Sequence, residues 1–209
     1  MVSGFSRLAE QGSFSASAPC RIDIGGTLDI SSLYYPLAHR TPCTFNIALN
    51  LRTQVHIAPY EPGWVSVSSL GFEPAAFMME KAPFDHPLGL IFAIAAFFQA
   101  DGIHIEIVSA SPPRSALGGS SVAAVALIGV LSAMRAADGW EPVATARIPL
   151  LAHAIEQSIA RVPCGMQDQL AAAFGGANVW HWKDKYGPVL YERQPVTVPA
   201  GLDRQVLVA

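Results

Sequence analysis

The order of apolar and polar residues predicts a block of strands followed by helices interleaved with strands. Strands are indicated by apolar–polar alternation, which is clearest where His104 and Glu106 separate three isoleucines. The predicted strands are residues 44–51, 54–58, 64–68, 103–107, 177–182, 189–191 and 204–209. The predicted helices are residues 87–99, 122–135, 149–159 and 167–174. Because a regular alternation of strand and helix is missing, we expect an α+β sandwich rather than a doubly wound sheet.

The composition indicates one domain, or at most two small ones, with a sizeable core. Of the 209 residues, 51% are apolar and 14% are charged, which is typical of a globular chain. The net charge of −3 argues against nucleic acid and against an anionic membrane surface as partners. The most apolar runs, residues 88–98 and 122–134, are shorter than a membrane span, so we expect buried helices and no membrane partner.

The cysteines and the N-terminal residues indicate a cytoplasmic protein. Cys20, Cys43 and Cys164 are scattered and odd in number, which argues against a disulfide framework and against a cysteine-rich zinc site. The first 14 residues contain no apolar segment of the kind found in a signal peptide. The histidines show no metal-ligand spacing, so we assign them no metal role.

A loop of small residues before an apolar helix is the strongest chemical signal. Residues 112–124 read PPRSALGGSSVAA, and Gly118, Gly119, Ser120 and Ser121 crowd the start of the helix. Small residues allow backbone N–H groups to approach phosphate oxygens, and the positive end of the helix dipole favours an anion. The loop has no Gly-Lys-Ser/Thr ending, which excludes a Walker A motif. The alternative is an ordinary serine-rich cap of a buried helix.

Two carboxylates further along the chain are candidates for chemistry. Glu156 lies beside the apolar face of its predicted helix, near the middle, and a carboxylate facing a core needs a metal, a cation or a donor. Asp168 lies between two glutamines before a short apolar segment. The alternatives are a surface acid for Glu156 and a dipole-favoured helix N-terminal acid for Asp168.

A third segment, residues 18–30, places acids on both sides of a glycine pair. Arg21, Asp23 and Asp29 surround Gly25-Gly26, and carboxylates of this kind can accept hydrogen bonds from the hydroxyls of a polyol. The alternative is an ordinary turn with an exposed ion pair.

Together the three segments resemble one family, the GHMP kinases. Ala18-Pro19-Cys20-Arg21 resembles the N-terminal motif of that family, and residues 112–124 resemble its phosphate loop. The segment PCGMQDQ, residues 163–169, is similar to galactokinases and to heptose-phosphate kinases. The resemblance covers roughly residues 16–182 in the expected order.

The resemblance implies a fold, an activity and a set of site residues. The expected fold is the GHMP kinase N-terminal domain, which is similar to domain 2 of ribosomal protein S5. The expected activity is transfer of the ATP γ-phosphoryl group to a hydroxyl of a sugar or sugar phosphate, with Asp168 as base and Arg21 as its cation. The resemblance assigns ATP to Pro113, Leu117, Gly118, Gly119, Ser120 and Ser121, Mg²⁺ to Ser120 and Glu156, and the sugar to Asp29, Gly165 and Gln167.

Departures from the family pattern leave alternatives open. Arg114 and Ala116 stand where the family usually has glycines, and the glycine-rich motif of its C-terminal domain is absent. We therefore expect residues 1–209 to be the N-terminal domain of a two-domain enzyme, inactive alone. The rival functions are a non-catalytic nucleotide- and sugar-binding protein, and a kinase for a non-sugar alcohol such as mevalonate or homoserine. The oligomeric state stays open, with a homodimer as one alternative.

Overall fold

The computed structural model describes residues 4–24, 28–112, 115–183 and 189–202. Its strands are β1 (Phe14–Ile24), β2 (Cys43–Pro59), β3 (Trp64–Ser69), β4 (Ala75–Met78), β5 (Ile103–Ser109), β6 (Ala177–Trp182) and β7 (Tyr191–Val196). Its α-helices are α1 (Gly4–Gln11), α2 (Ser31–Tyr34), α3 (Gly89–Phe98), α4 (Gly119–Ala137), α5 (Ile148–Ile159) and α6 (Gln167–Phe174). Short 3-10 helices cover Tyr35–Arg40, Met79–Lys81 and Thr145–Arg147.

Within the described residues, the strands form one mixed sheet in the order β4-β3-β5-β2-β6-β7, and β1 pairs with β2. The β3–β5 pair is parallel and the other pairs are antiparallel. The prediction of an α+β fold is therefore confirmed. The helices do not alternate with parallel strands as they would in a doubly wound sheet.

The long strand β2 organises the sheet. The sequence predicts two strands here, 44–51 and 54–58, but the structure has one strand of 17 residues, Cys43–Pro59. Its first half pairs with β6 and its second half with β5, while β1 pairs along both halves. The predicted break is wrong because pairing with β1 and β5 keeps the polar pair Arg52 and Thr53 extended.

The core lies between one face of the sheet and the apolar helices. Ile103, Ile105 and Ile107 point into it, whereas Glu106 on the same strand is exposed, as predicted from their alternation. Helix α4 is longer at both ends than the predicted helix 122–135. An 18-residue stretch of this 19-residue helix has a mean hydropathy of 1.7, which is apolar enough to cross a membrane by length and composition. However, 67% of that stretch is buried inside the fold. Burial of this extent is what the core helix of a globular protein shows.

Several element boundaries differ from the prediction. Helices α1 and α2 and strands β1 and β4 have no counterpart in the sequence analysis, and the predicted strand 189–191 begins at Tyr191 and continues to Val196. Pro87 precedes α3 rather than lying in its first turn, because α3 begins at Gly89. The predicted strand 204–209 lies outside the described residues.

Candidate active site

An ion pair between β1 and α6 forms the centre of the candidate site. The Arg21 guanidinium donates from Nε to Oδ1 of Asp168 at 2.8 Å, and its Nη2 lies 2.7 Å from the same oxygen. Its Nη1 donates to the backbone carbonyl of Ala116 at 2.8 Å. One side chain therefore ties together the strand, the small-residue loop and the helix that carries Asp168.

A break in the strand ladder places Arg21. The β1–β2 register shifts between Pro19, which faces Arg52, and Arg21, which faces Ala48. Irregularities of this kind bend a strand and redirect its side chains, and they are frequent beside active sites. At the break, the backbone N–H of Arg21 donates instead to the carbonyl of Leu117, with N and O 3.4 Å apart. The loop before α4 is thus docked on β1 at the position of the arginine.

The backbone at the start of α4 requires small residues. Gly118 caps the helix with φ +80°, a left-handed conformation that glycine adopts without steric cost. A Cβ at this position would lie 3.2 Å from Oδ2 of Asp168, so the glycine also permits the close approach of the carboxylate. Ala116 has φ +57°, a left-handed conformation that residues with a Cβ seldom adopt and that glycine adopts without steric cost.

A cleft of about 510 Å³ opens beside this loop. Its polar lining includes Arg21, Asp168, Gly118, Gly119, Ser120 and the serines at 109, 111 and 115. Its apolar lining includes Leu70, Phe72, Leu88 and Ile91. Sequence reasoning missed these apolar residues because Leu70 and Phe72 lie in a short connection after β3, with no motif to mark them. The cleft thus offers both anion-binding backbone and an apolar wall.

A second cluster joins Asp29 to the start of α6. The backbone N–H of Gln167 donates to Oδ2 of Asp29, with N and O 3.0 Å apart. A Cβ on Gly165 would lie 1.8 Å from the same oxygen, so only glycine permits this approach. In the described structure, Asp29 Oδ1 and Gln167 Oε1 are buried without a hydrogen-bond partner. Two unused acceptors therefore lie together with the predicted sugar-binding residues.

The candidate metal ligand Glu156 lies in the last turn of α5, not in the middle of its helix as predicted. Ser121 Oγ donates to its Oε2 at 3.2 Å, and Gln169 Nε2 donates to the same oxygen at 2.6 Å. The serine that contacts Glu156 is thus Ser121, whereas the exposed Ser120 lines the cleft. Among the described residues, no group of three or more His, Cys, Asp or Glu side chains could hold a metal ion.

The carboxylates of the site have raised proton affinities. Burial raises the pKa of Asp168, which the Arg21 guanidinium partly offsets and the charge of Asp29 reinforces. Burial also raises the pKa of Glu156, against the hydrogen bonds from Ser121 and Gln169. Raised proton affinities of this kind are typical of acid–base sites, although structural ion pairs can show them too.

Residues 88–176 match the family model described as the GHMP kinases N terminal domain. The matched range contains the start of α4, Glu156 and Asp168. In these residues the chain is similar to the GHMP kinases. The resemblance inferred from the three motifs is thereby confirmed. No curated protein sequence matches the chain.

Solved structures share the fold of this chain. A protein assigned as a sugar kinase from Campylobacter jejuni is 22% identical, with a TM-score of 0.71 over 92% of this chain and 58% of its own. The D-glycero-D-manno-heptose 1-phosphate kinase from Bacteriodes thetaiotaomicron is 22% identical, with a TM-score of 0.70 over 90% of this chain and 61% of its own. Lactococcus lactis galactokinase, solved with galactose, is 18% identical, with a TM-score of 0.67 over 93% of this chain and 51% of its own. The chain therefore spans 51 to 61% of the length of these structures.

The fold brings together most of the residues singled out from sequence. Arg21, Asp168 and the residues from Gly118 to Ser120 line one cleft, and Asp29 meets Gly165 and Gln167 beside it. Leu117 and Ser121 are buried in the loop and the first turn of α4. Pro113, Arg114, Gly25 and Gly26 lie outside the described residues. Sequence reasoning named Asp23 only as one of the acids that could bind a polyol, and it gave no role to Gln169, the partner of Glu156.

Proposed function

We propose that the protein transfers the γ-phosphoryl group of ATP to a hydroxyl of a sugar or sugar phosphate. The observation that carries this proposal is the Arg21–Asp168 pair, which lines the same cleft as the glycine-capped start of α4. Phosphoryl transfer depends mainly on positioning and on charge neutralisation, and this cleft supplies a carboxylate base, a cation and exposed backbone amides together.

The start of α4 suits the phosphates of ATP. Backbone N–H groups of the first helical turn have no partner within the helix, and the dipole makes that end positive. Gly118 and Gly119 leave them accessible: Gly118 is left-handed, and no atom lies within 4 Å of a Cβ placed on Gly119. The apolar wall formed by Leu70, Phe72, Leu88 and Ile91 suits a flat base rather than a charged group.

The residues predicted to hold Mg²⁺ are chemically suitable. Ser120 offers an exposed hydroxyl and Glu156 a carboxylate, and Mg²⁺ prefers hard oxygen ligands. In the described structure, both hydrogen bonds to Glu156 go to Oε2, so Oε1 is available as a ligand. When bound, the metal supplies charge neutralisation for the phosphates.

Asp168 and Arg21 have complementary tasks. The Asp168 carboxylate takes the proton of the substrate hydroxyl, and burial makes it a stronger base than an exposed aspartate because it raises its pKa. The Arg21 guanidinium opposes that shift and keeps Asp168 ionised in the working range. It also holds the carboxylate in one orientation through two nitrogen contacts to Oδ1.

The polar groups beside Asp168 favour a polyol substrate. Asp29 Oδ1 and Gln167 Oε1 are acceptors without partners in the described structure, and sugar hydroxyls are donors that fit them. The carboxylate of mevalonate would meet the negative charges of Asp29 and Asp168 if it lay at this position, whereas a sugar or sugar phosphate can present hydroxyls there. The three solved structures named above are described as sugar or sugar-phosphate kinases, which agrees with a sugar or sugar phosphate.

A coupled ADP-release assay with a substrate panel tests the proposal. The 209-residue chain and the complete product of its gene, whatever its length, are assayed with free sugars, sugar phosphates, mevalonate and homoserine as acceptors. We expect ATP turnover with at least one sugar or sugar phosphate, and loss of that turnover in Asp168→Asn. Turnover with mevalonate or homoserine alone would support the non-sugar kinase. Nucleotide and sugar binding without turnover would support the binding protein.

A further inference from the structure

Asp23 is a second carboxylate on the arginine that holds Asp168. Arg21 and Asp23 are two residues apart on β1, so their side chains lie on the same face of the sheet. Asp23 Oδ2 lies 3.0 Å from Arg21 Nε, the same nitrogen that donates to Asp168 Oδ1 at 2.8 Å. Nε carries a single hydrogen, so the two carboxylates compete for one donor.

Negative charge exceeds positive charge around Asp23. The charged groups that face it in the described structure are Arg21 on its own strand, Asp29 in the following loop and Asp168 on α6. Its cross-strand neighbour on β2, Asn46, is neutral. Asp23 Oδ1 is also buried and has no hydrogen-bond partner in the described part of the chain. Two carboxylates, Asp23 and Asp168, therefore share one guanidinium, and the negative charge of Asp29 acts on both of them.

We propose that Asp23 is a positioning residue that competes with Asp168 for the Arg21 guanidinium. The strength of the ion pair between Arg21 and Asp168 then depends on whether Asp23 carries a proton. When Asp23 is protonated, Nε of Arg21 donates its hydrogen bond to Asp168 alone. When Asp23 is ionised, the two carboxylates share the guanidinium. The pKa of Asp168 is then higher than it is beside a protonated Asp23. The catalytic meaning rests on the proposed function, in which Asp168 is the base.

The titration of Asp23 falls in a range that kinetics and spectroscopy can reach. The pKa of Asp23 is raised to about 6, mainly by burial; the Arg21 guanidinium lowers it, and the charges of Asp168 and Asp29 raise it. Below this pH, Asp23 is neutral in the folded protein. Above it, Asp23 adds a negative charge beside Asp168.

Carboxyl NMR of the full-length gene product tests the positioning role without depending on activity. In the wild type, we expect the chemical shift of the Asp168 carboxyl carbon to change in two steps as the pH is raised, with the second step near the pKa of Asp23. Asp23→Asn should remove the second step, and Asp23→Glu should keep a second step at a shifted pH. Asp23→Ser provides a second neutral variant if the asparagine variant folds poorly. Asp85→Asn, on the exposed loop before α3, is the matched loss of one aspartate charge and should keep both steps.

The kcat–pH profile adds the catalytic readout. We expect an inflection near the pKa of Asp23 in the wild type and its absence in Asp23→Asn, with the KM for ATP changed by less than about threefold. An Asp168 titration curve that is the same in wild type and Asp23→Asn would overturn the proposal. Two-step titration in a protein that turns over no acceptor would support the positioning role of Asp23 and would refute the proposed kinase function.

Discussion

Replacing Gly165 by alanine should disrupt the contact between Asp29 and α6. The added Cβ would lie 1.8 Å from Asp29 Oδ2, 2.4 Å from Cγ and 2.7 Å from Oδ1. Real Cβ atoms essentially never come within 3.0 Å of a neighbour, so the whole carboxylate must move. It cannot move and keep its hydrogen bond, because Gln167 N is fixed as the first residue of α6.

The cost can be worked from these contacts. Forced overpacking costs about 1–3 kcal/mol. Loss of a hydrogen bond from a buried N–H to a carboxylate adds about 1.5–3 kcal/mol. We therefore expect Gly165→Ala to lower the free energy of unfolding by about 3–5 kcal/mol, a large part of the stability of a typical domain.

Urea denaturation measures this loss. The buried residues Trp180 and Trp182, which pack in the same cluster as Leu170 of α6, should report unfolding by fluorescence. Gly129→Ala is the matched control, because its Cβ would lie 3.9 Å from Ala16 Cβ, an ordinary contact. Since alanine is the better helix former, the control should be neutral or more stable by up to about 1 kcal/mol.

A double-mutant cycle tests the cause. Asp29→Ala removes the three atoms that the new methyl group would meet, so Gly165→Ala should cost much less in that background. We expect a coupling energy of about 2 kcal/mol or more. If Gly165→Ala costs the same in both backgrounds, or less than about 1 kcal/mol in the wild type, the steric argument is wrong. Weakened sugar binding by a stable Gly165→Ala protein would additionally support Asp29 as a substrate residue.

Further predictions concern the full-length protein. Asp168→Asn should lower kcat by about 10²- to 10⁴-fold with ATP binding retained, because the amide cannot take the proton; a stable variant with wild-type turnover would eliminate the base. Arg21→Met removes the cation that lowers the pKa of Asp168, so Asp168 should protonate at higher pH and the acid limb of the kcat profile should move upward. Ser120→Ala and Glu156→Gln should raise the KM for Mg·ATP more than they weaken sugar binding; a loss confined to the sugar contradicts the metal assignment. Asp23→Asn should stabilise the fold at pH 7.5 by about 1–2 kcal/mol and not at pH 4. The raised pKa of Asp23, about 6, means that the folded state favours the protonated form, so the advantage of a neutral side chain is present above that pH and vanishes on acidification.

Sequence patterns predicted those elements whose burial follows from the order of apolar and polar residues within the element itself. The alternation in β5 and the apolar length of α4 are properties of consecutive residues, and burial in the structure follows them. The same holds for the motif loops, because a glycine or serine at a helix start is visible without any partner. The family followed from three such local motifs in order. Helix α1 was missed because no motif or long apolar run marks its eight residues, GFSRLAEQ.

Only the tertiary structure decided which side chains meet. Arg21 lies 95 residues before Ala116 and 147 residues before Asp168 in the sequence. No local pattern encodes contacts between residues this far apart. The fusion of two predicted strands into β2 followed from pairing with β1, β5 and β6, which overrode the local break. The competition of Asp23 and Asp168 for one nitrogen depends on a register shift between β1 and β2. Residue types and their spacing thus determined the fold class and the candidate chemistry. Contacts between distant segments determined the charge balance, because electrostatic and steric interactions depend on separation in space rather than along the chain.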